Sequence, residues 1–181
     1  MRFVFTFLLV SFFQICFSQN VDFENYASQL QKLSIAMDQP TEGKGKFLEP
    51  YKKSIVPHLF RIKFKKENLE VWVSVKPFDS LNISTQMPHL EAGRIATNAA
   101  TNDDEAVTTV LKLSDDFAEK TFGADWGREF YFQPKKQISE RVHCRLLSLY
   151  KEGIGQLNIF FFFDKKTRGL EHYYDMIRFE K

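Results

Sequence analysis

The side chains best placed to do chemistry fall between residues 58 and 94. Arg61, Lys63, Lys65 and Lys76 are spaced around Trp72, and cation plus aromatic is a pairing that holds anionic or sugar ligands. This face is the candidate binding site, with an anionic glycan or a lipid headgroup as the ligand class. The alternative lays the segment 39–57, or a helix, over Trp72, since lysine stems readily cover apolar surface. Further along, His89 and Glu91, with Arg94 nearby, form a candidate acid–base pair, because catalytic side chains favour loops carried on a rigid scaffold.

The remaining reactive residues read as structural. Cys144 follows strand alternation with Val142 and Leu146, which predicts a buried, inert thiol rather than an exposed nucleophile. His58, His89, His143 and His172 include no pair at helical metal-ligand spacing, and one thiol in the mature chain rules out a CxxC zinc site. No metal or cofactor is expected. Asp115 and Asp116 are neighbours on a predicted helix and point about 100° apart, so they do not converge as a carboxylate pair. Gly153-Ile154-Gly155 is a turn, with no helix after it to receive a phosphate.

The elements that must position these residues show in the hydrophobic pattern. Phe23, Tyr26, Ala27, Leu30, Leu33 and Met37 predict a helix over 22–38, with Asp22 as N-cap and Pro40 past its end. Pro40, Gly43, Gly45, Pro50 and Pro57 break 39–57 into a connector that Phe47, Leu48 and Tyr51 pin down. Alternating residues predict strands over 58–65 and 69–76, and parity requires opposed residues to sum to an odd number. A two-residue turn at Glu67-Asn68 would set Lys63 opposite Trp72 and Lys65 opposite Glu70. Residues 78–101 show no sustained period and are expected to form a long loop. Asn102 and Glu105 form a capping-box pattern opening a helix over 103–122, whose inner stripe runs from Val107 to Phe122 and stops at Gly123.

Strands are predicted over 128–133, 141–150, 156–163 and 170–179. The run Ile159-Phe160-Phe161-Phe162-Phe163 breaks alternation, the mark of a strand packed on both faces. Exposed instead, it would be an interface in a cell-envelope assembly. The fold class is α+β: a mostly antiparallel sheet of about six strands with two amphipathic helices packed on it.

Address is written at the start of the chain. Met1-Arg2, the apolar stretch Phe3–Phe13 and the small residue Ser18 have the layout of a signal peptide over 1–18. Its core is shorter than the roughly 20 residues that span a bilayer, so no transmembrane segment is expected after its removal. Cys16 is preceded by Ile15 rather than the small residue that a lipid-modified cysteine favours. About 160 residues then remain over 19–181, a size that suits one domain. Phe numbers 20 in the whole sequence, 14 of them after residue 18, ample core material, and the formal charge of +2 argues against nucleic acid as a partner. Export with a single mature thiol fits a bacterial periplasm or cell surface.

Charge is unevenly placed. Lysine and arginine dominate 51–76, and aspartate and glutamate dominate 103–125, which reads as two solvated faces able to attract each other. Asn82-Ile83-Ser84 is a glycosylation sequon, and Asp79-Ser80-Leu81 resembles short O-glycosylation sites of Bacteroidetes. The expectation is an exported, non-enzymatic protein that binds a ligand or an envelope partner, with a small enzyme sited at 78–101 as the alternative.

Overall fold

A computed structural model describes residues 22–40, 45–165 and 170–180; the leader assigned to 1–18 lies outside the described residues. The fold is α+β, with three helices, a seven-stranded antiparallel sheet and a separate two-stranded ribbon. In chain order these are α1 (22–31), β1 (Ile35–Met37), β2 (Lys46–Leu48), β3 (Phe60–Phe64), β4 (Leu69–Pro77), α2 (Pro88–Ala99) and β5 (Thr109–Lys112). Then follow α3 (Asp115–Phe122), β6 (Trp126–Phe132), β7 (His143–Lys151), β8 (Gly155–Phe163) and β9 (Ile177–Phe179). The large sheet has the order β2-β3-β4-β8-β7-β6-β5, and β1 pairs with β9.

The phenylalanine-rich strand sits at the centre because it has no polar face to show. All nine residues of β8 are buried, and three strands lie on each side of it. Leu157, Ile159, Phe161 and Phe163 pack with Phe60, Ile62, Val71, Val73, Leu147 and Leu149 beneath α1, α3 and the β1–β9 ribbon. Phe160 and Phe162 point the other way, onto Trp72, Cys144, Leu146, Phe130 and Phe132 beneath the alanine stripe of α2. Burying each such side chain contributes about 1.5–3 kcal/mol. Because Phe160, Phe161 and Phe162 are fully buried, the expected alternative of an assembly interface on this strand does not hold.

A buried polar row interrupts the α2 face. The Ser148 hydroxyl and the Gln156 amide both donate to Asn158 Oδ1, and Gln156 also donates to Ser148 Oγ. Such a row has few satisfactory registers, so it helps fix the alignment of β7 with β8.

Several expected elements are corrected. The first helix ends at residue 31, tightens through Leu33 N–H to Leu30 and Ser34 N–H to Gln31, and reverses at Ser34 with φ 54°. Ile35 and Met37 then alternate into the core as strand β1 rather than continuing the helical stripe. The connector 39–57 contributes β2, an added edge strand. The first hairpin has the expected odd parity but a four-residue turn over 65–68 with Asn68 at φ 53°. Opposed pairs therefore shift by two, to Arg61↔Trp72 and Lys63↔Glu70.

Residues 78–101 are not a loop. A short 3-10 turn, Ile83–Thr85, leads into α2, whose Pro88 suits the first helical position, where no N–H partner is lost. Its buried stripe is Ala92, Ala96 and Ala99, side chains too small to mark a hydrophobic period. The helix expected over 103–122 divides: 109–112 is strand β5, and α3 begins only after Ser114, whose hydroxyl accepts from Phe117 N–H. β-branched residues at 107–110 favour the extended form over a helix. The C-terminal stop at Gly123 is as expected, with φ 62°. Within 170–179 only Ile177–Phe179 is a strand, preceded by a 3-10 turn at Leu170–Tyr173.

Truncating β8 is the sharpest test of this architecture. Phe161→Ala should lower the unfolding free energy by ~3–5 kcal/mol, through lost burial and an unfilled cavity. Val107→Ala, at an exposed position, should stay within ~0.5 kcal/mol. Urea unfolding monitored by circular dichroism separates the two, and equal effects would contradict a central β8.

Candidate functional site

The odd positions of β3 and even positions of β4 carry Arg61, Lys63, Glu70 and Trp72 on the α2 side of the sheet. A groove of about 550 Å³ opens beside them, lined by Tyr51, Lys63, Glu70, Trp72 and the chain from Lys136 to Arg141, with Asp164 at the rim. Its sheet side is a hydrogen-bonded cluster. Arg61 Nη1 and Trp72 Nε1 both donate to Glu70 Oε1, at 2.9 and 2.8 Å. Arg61 also donates through Nε to the Glu49 carbonyl, and its guanidinium lies 3.5 Å from the Tyr51 ring centroid.

Trp72 is not offered to solvent; it is 1% exposed. The connector covers it, with the His58 ring stacked on the indole at 4.2 Å and Tyr51 at 5.4 Å. An indole on a sheet face otherwise leaves a large apolar area wet, and two aromatic rings remove it. The covering segment is held by one histidine. Tyr51 N–H donates to His58 Nε2 at 3.1 Å; that nitrogen therefore carries no proton, and Nδ1–H donates to the Val56 carbonyl at 2.8 Å. Burial pulls the His58 pKa below its ordinary value.

The opposite wall rests on Asp164. This carboxylate accepts from Arg141 Nη1, Asn68 Nδ2 and Val142 N–H. Desolvation opposes its ionisation, but Arg141 and these hydrogen bonds hold its pKa below the usual carboxylate value. Glu70 and Asp164 are thus engaged, while Lys63 and Lys136 have no ion pair among the described residues. The groove therefore presents two uncommitted ammonium groups, one uncommitted carboxylate (the exposed Glu140) and a half-exposed tyrosine. It can bind an anionic, hydroxyl-rich molecule; it has no assembled proton-transfer pair.

Of the residues singled out in the sequence, Arg61, Lys63 and Trp72 are brought together here. Lys65 lies exposed in the hairpin turn. Lys76 lies at the other end of β4, where its ammonium meets Ser84 Oγ and Glu91 Oε1 at 2.8 and 2.9 Å. Glu91 is buried and also accepts two hydrogen bonds from Arg94. Chiefly through Arg94, with Lys76 adding to it against desolvation, the Glu91 pKa is lowered to about 2. It anchors α2 to β4 and is no proton shuttle at neutral pH. His89 is exposed, with no hydrogen-bond partner among the described residues, so the acid–base pair is not assembled. The other buried carboxylate, Glu129, is bound by Arg145 and the Tyr174 hydroxyl.

Cys144 is fully buried, and burial raises its pKa well above that of a free thiol. Among the described residues no cluster of three or more His, Cys, Asp or Glu side chains could hold a metal ion. No helix among them is long and apolar enough to cross a membrane.

Sequence reading missed His58, Lys136, Arg141 and Asp164 as parts of this site. His58, two residues before β3, carried a weak signal, since a histidine at a strand start can reach a neighbouring tryptophan. The other three come from distant loops, and no spacing links them to Trp72.

The neutral His58 clasp has a consequence for pH. A histidine with a lowered folded pKa leaves the unfolded chain binding more protons, so its contribution is full above 6.5 and lost as pH falls. The stability difference between wild type and His58→Gln should therefore grow with pH and level off above about 6.5. Urea titrations across the range ~5–8 measure it; a difference that is flat in pH would contradict the clasp.

Comparison with known protein families, with curated proteins and with solved structures finds no match.

Proposed function

We propose that the protein is an exported, non-enzymatic binding protein whose groove beside Trp72 takes an anionic, hydroxyl-rich ligand of the glycan class. The observation that carries this reading is the pairing pattern within the groove. Glu70 and Asp164 are neutralised by Arg61 and Arg141, while Lys63 and Lys136 remain without ion pairs among the described residues and outnumber the one unpaired carboxylate of the lining, Glu140. A ligand carboxylate or sulfate would complete both lysines, and Tyr51, half exposed at the groove edge, offers a ring edge against a sugar. The polar lining favours hydroxyls over acyl chains, so a headgroup would be held without its lipid tail. Export is supported by the leader-like opening of the sequence and by the lone mature cysteine.

The reading is tested by titrating short polyuronate and sulfated oligosaccharides into the purified protein in a calorimeter. Lys63→Glu and Lys136→Glu should each weaken binding roughly tenfold, equivalent to ~1.4 kcal/mol. Lys65→Glu makes the same charge change outside the groove and should leave affinity within about twofold. Equal losses in all three variants would show a general charge effect and sink the groove. Trp72→Ala is unsuited to this purpose, because a buried indole removes stability along with any contact.

A further inference from the structure

The sheet ends in two unlike edges. Among the described residues β5 pairs only with β6, and all four of its residues are exposed. Val110 and Leu111 stand out to solvent on its two faces, joined by Val107 and Phe117. Leu113 N–H donates to the Gly127 carbonyl, so the paired backbone groups alternate at 113, 111 and 109. The N–H and C=O groups of Val110 and Lys112 therefore point outward, away from β6. Unprotected edges of this kind are templates for another strand.

The charge around the two edges is opposite in sign. Asp103, Asp104 and Glu105 precede β5 in the chain and Glu119 lies on α3, which follows it; none makes an ion pair among the described residues. At the far edge, Lys46 lies on β2, exposed Lys52 and Lys53 follow it in the chain, and exposed Lys65 and Lys66 follow its neighbour β3; all lack ion pairs among the described residues and outnumber the one exposed acid beside β2, Glu49. These acidic and basic groups thus belong to opposite ends of a seven-stranded sheet. Six strand spacings separate them by ~29 Å, more than three screening lengths of about 8 Å at physiological salt. Within one molecule they do not neutralise each other.

We propose that the β5 edge of one copy docks against the β2 edge of a second copy, extending the sheet head to tail. The contact is heterologous, so it leaves a free edge of each kind and repeats into open chains. Self-pairing of two β5 edges would oppose like charges, whereas β5 against β2 brings unlike charges together. Every neighbouring pair in the sheet is antiparallel; six reversals leave β2 and β5 running the same way. A copy placed so as to continue the sheet's twist therefore meets the first with parallel strands, and its helices continue the same faces.

The experiment is sedimentation velocity on the purified protein and three variants. Wild type at low ionic strength should show a weight-average mass that climbs with concentration past the dimer, returning to monomer at ~0.5 M salt. Val110→Pro blocks the β5 edge without removing a ladder bond, because that amide faces outward. Asp103→Lys/Asp104→Lys/Glu105→Lys repels the β2 edge, and Lys46→Glu/Lys52→Glu/Lys53→Glu repels the β5 edge. Each variant alone should remain monomeric. Val110→Pro mixed with the lysine-reversed variant should give a single one-to-one dimer, since each retains the edge the other lost. Joining both charge reversals in one chain should restore association. A wild type that stays monomeric at ~1 mM and low salt overturns the proposal. So does dimerisation of the lysine-reversed variant by itself, which would mean that β5 pairs with its own kind.

Discussion

Two-sided burial of β8 is the constraint from which the rest of the structure follows. A strand with Phe160 and Phe162 on one face and Ile159, Phe161 and Phe163 on the other can be stable only between two covering layers. One layer is large, built from α1, α3 and the β1–β9 ribbon. The other is a single helix, α2, whose alanine stripe lets its backbone come close to the broad rings below. The division of labour is set by side-chain size: rings on the sheet require small residues on the helix, because interiors pack to crystal-like density. Placing β8 centrally also forces less apolar strands outward, so β2 and β5 become the edges.

The narrowness of the α2 layer creates the groove. One helix does not cover the full width of the sheet, and near β3 and β4 the covering is taken over by the connector instead. Trp72 is sealed there by His58 and Tyr51, while Arg61 and Glu70 satisfy each other and the indole N–H. The apolar surface is thereby buried, and the groove beside it is lined by polar groups. Polar groups already committed to internal partners fix the shape of the groove; Lys63 and Lys136 supply the uncommitted charge. The floor is thereby held by internal hydrogen bonds, while the long side chains at its margin carry no such restraint.

Buried carboxylates follow the same logic. Glu91 and Glu129 are each surrounded by two cationic or hydroxyl donors, and Glu91 stays ionised far below neutral pH. These pairs tie elements together: Glu91 joins α2 to β4, and Glu129 joins β6 to β7 and to the chain before β9. Breaking either by removing one partner leaves an uncompensated charge in the interior, which costs more than the pair itself contributes.

The α+β class, the first hairpin's parity, the central placement of 159–163 and the inert setting of Cys144 were all legible from residue types and period. Each follows from local alternation or from hydrophobicity so strong that only one environment accepts it. What the sequence did not reveal depended on contacts between distant segments. Ile35 and Met37 could serve a helix or a strand until β9 offered backbone partners, and Val107–Leu111 could be either until β6 did. Alanine spacing in 88–99 became a core stripe only against the rings of Phe130, Phe132 and Phe160. The groove joins Tyr51, Lys63, Lys136, Arg141 and Asp164 from four segments of the chain, and the charge at the two sheet ends acquired meaning only when the strand order separated them. Period and composition act over one or two turns of chain, whereas a site is defined by which remote surfaces remain uncovered once the core has closed.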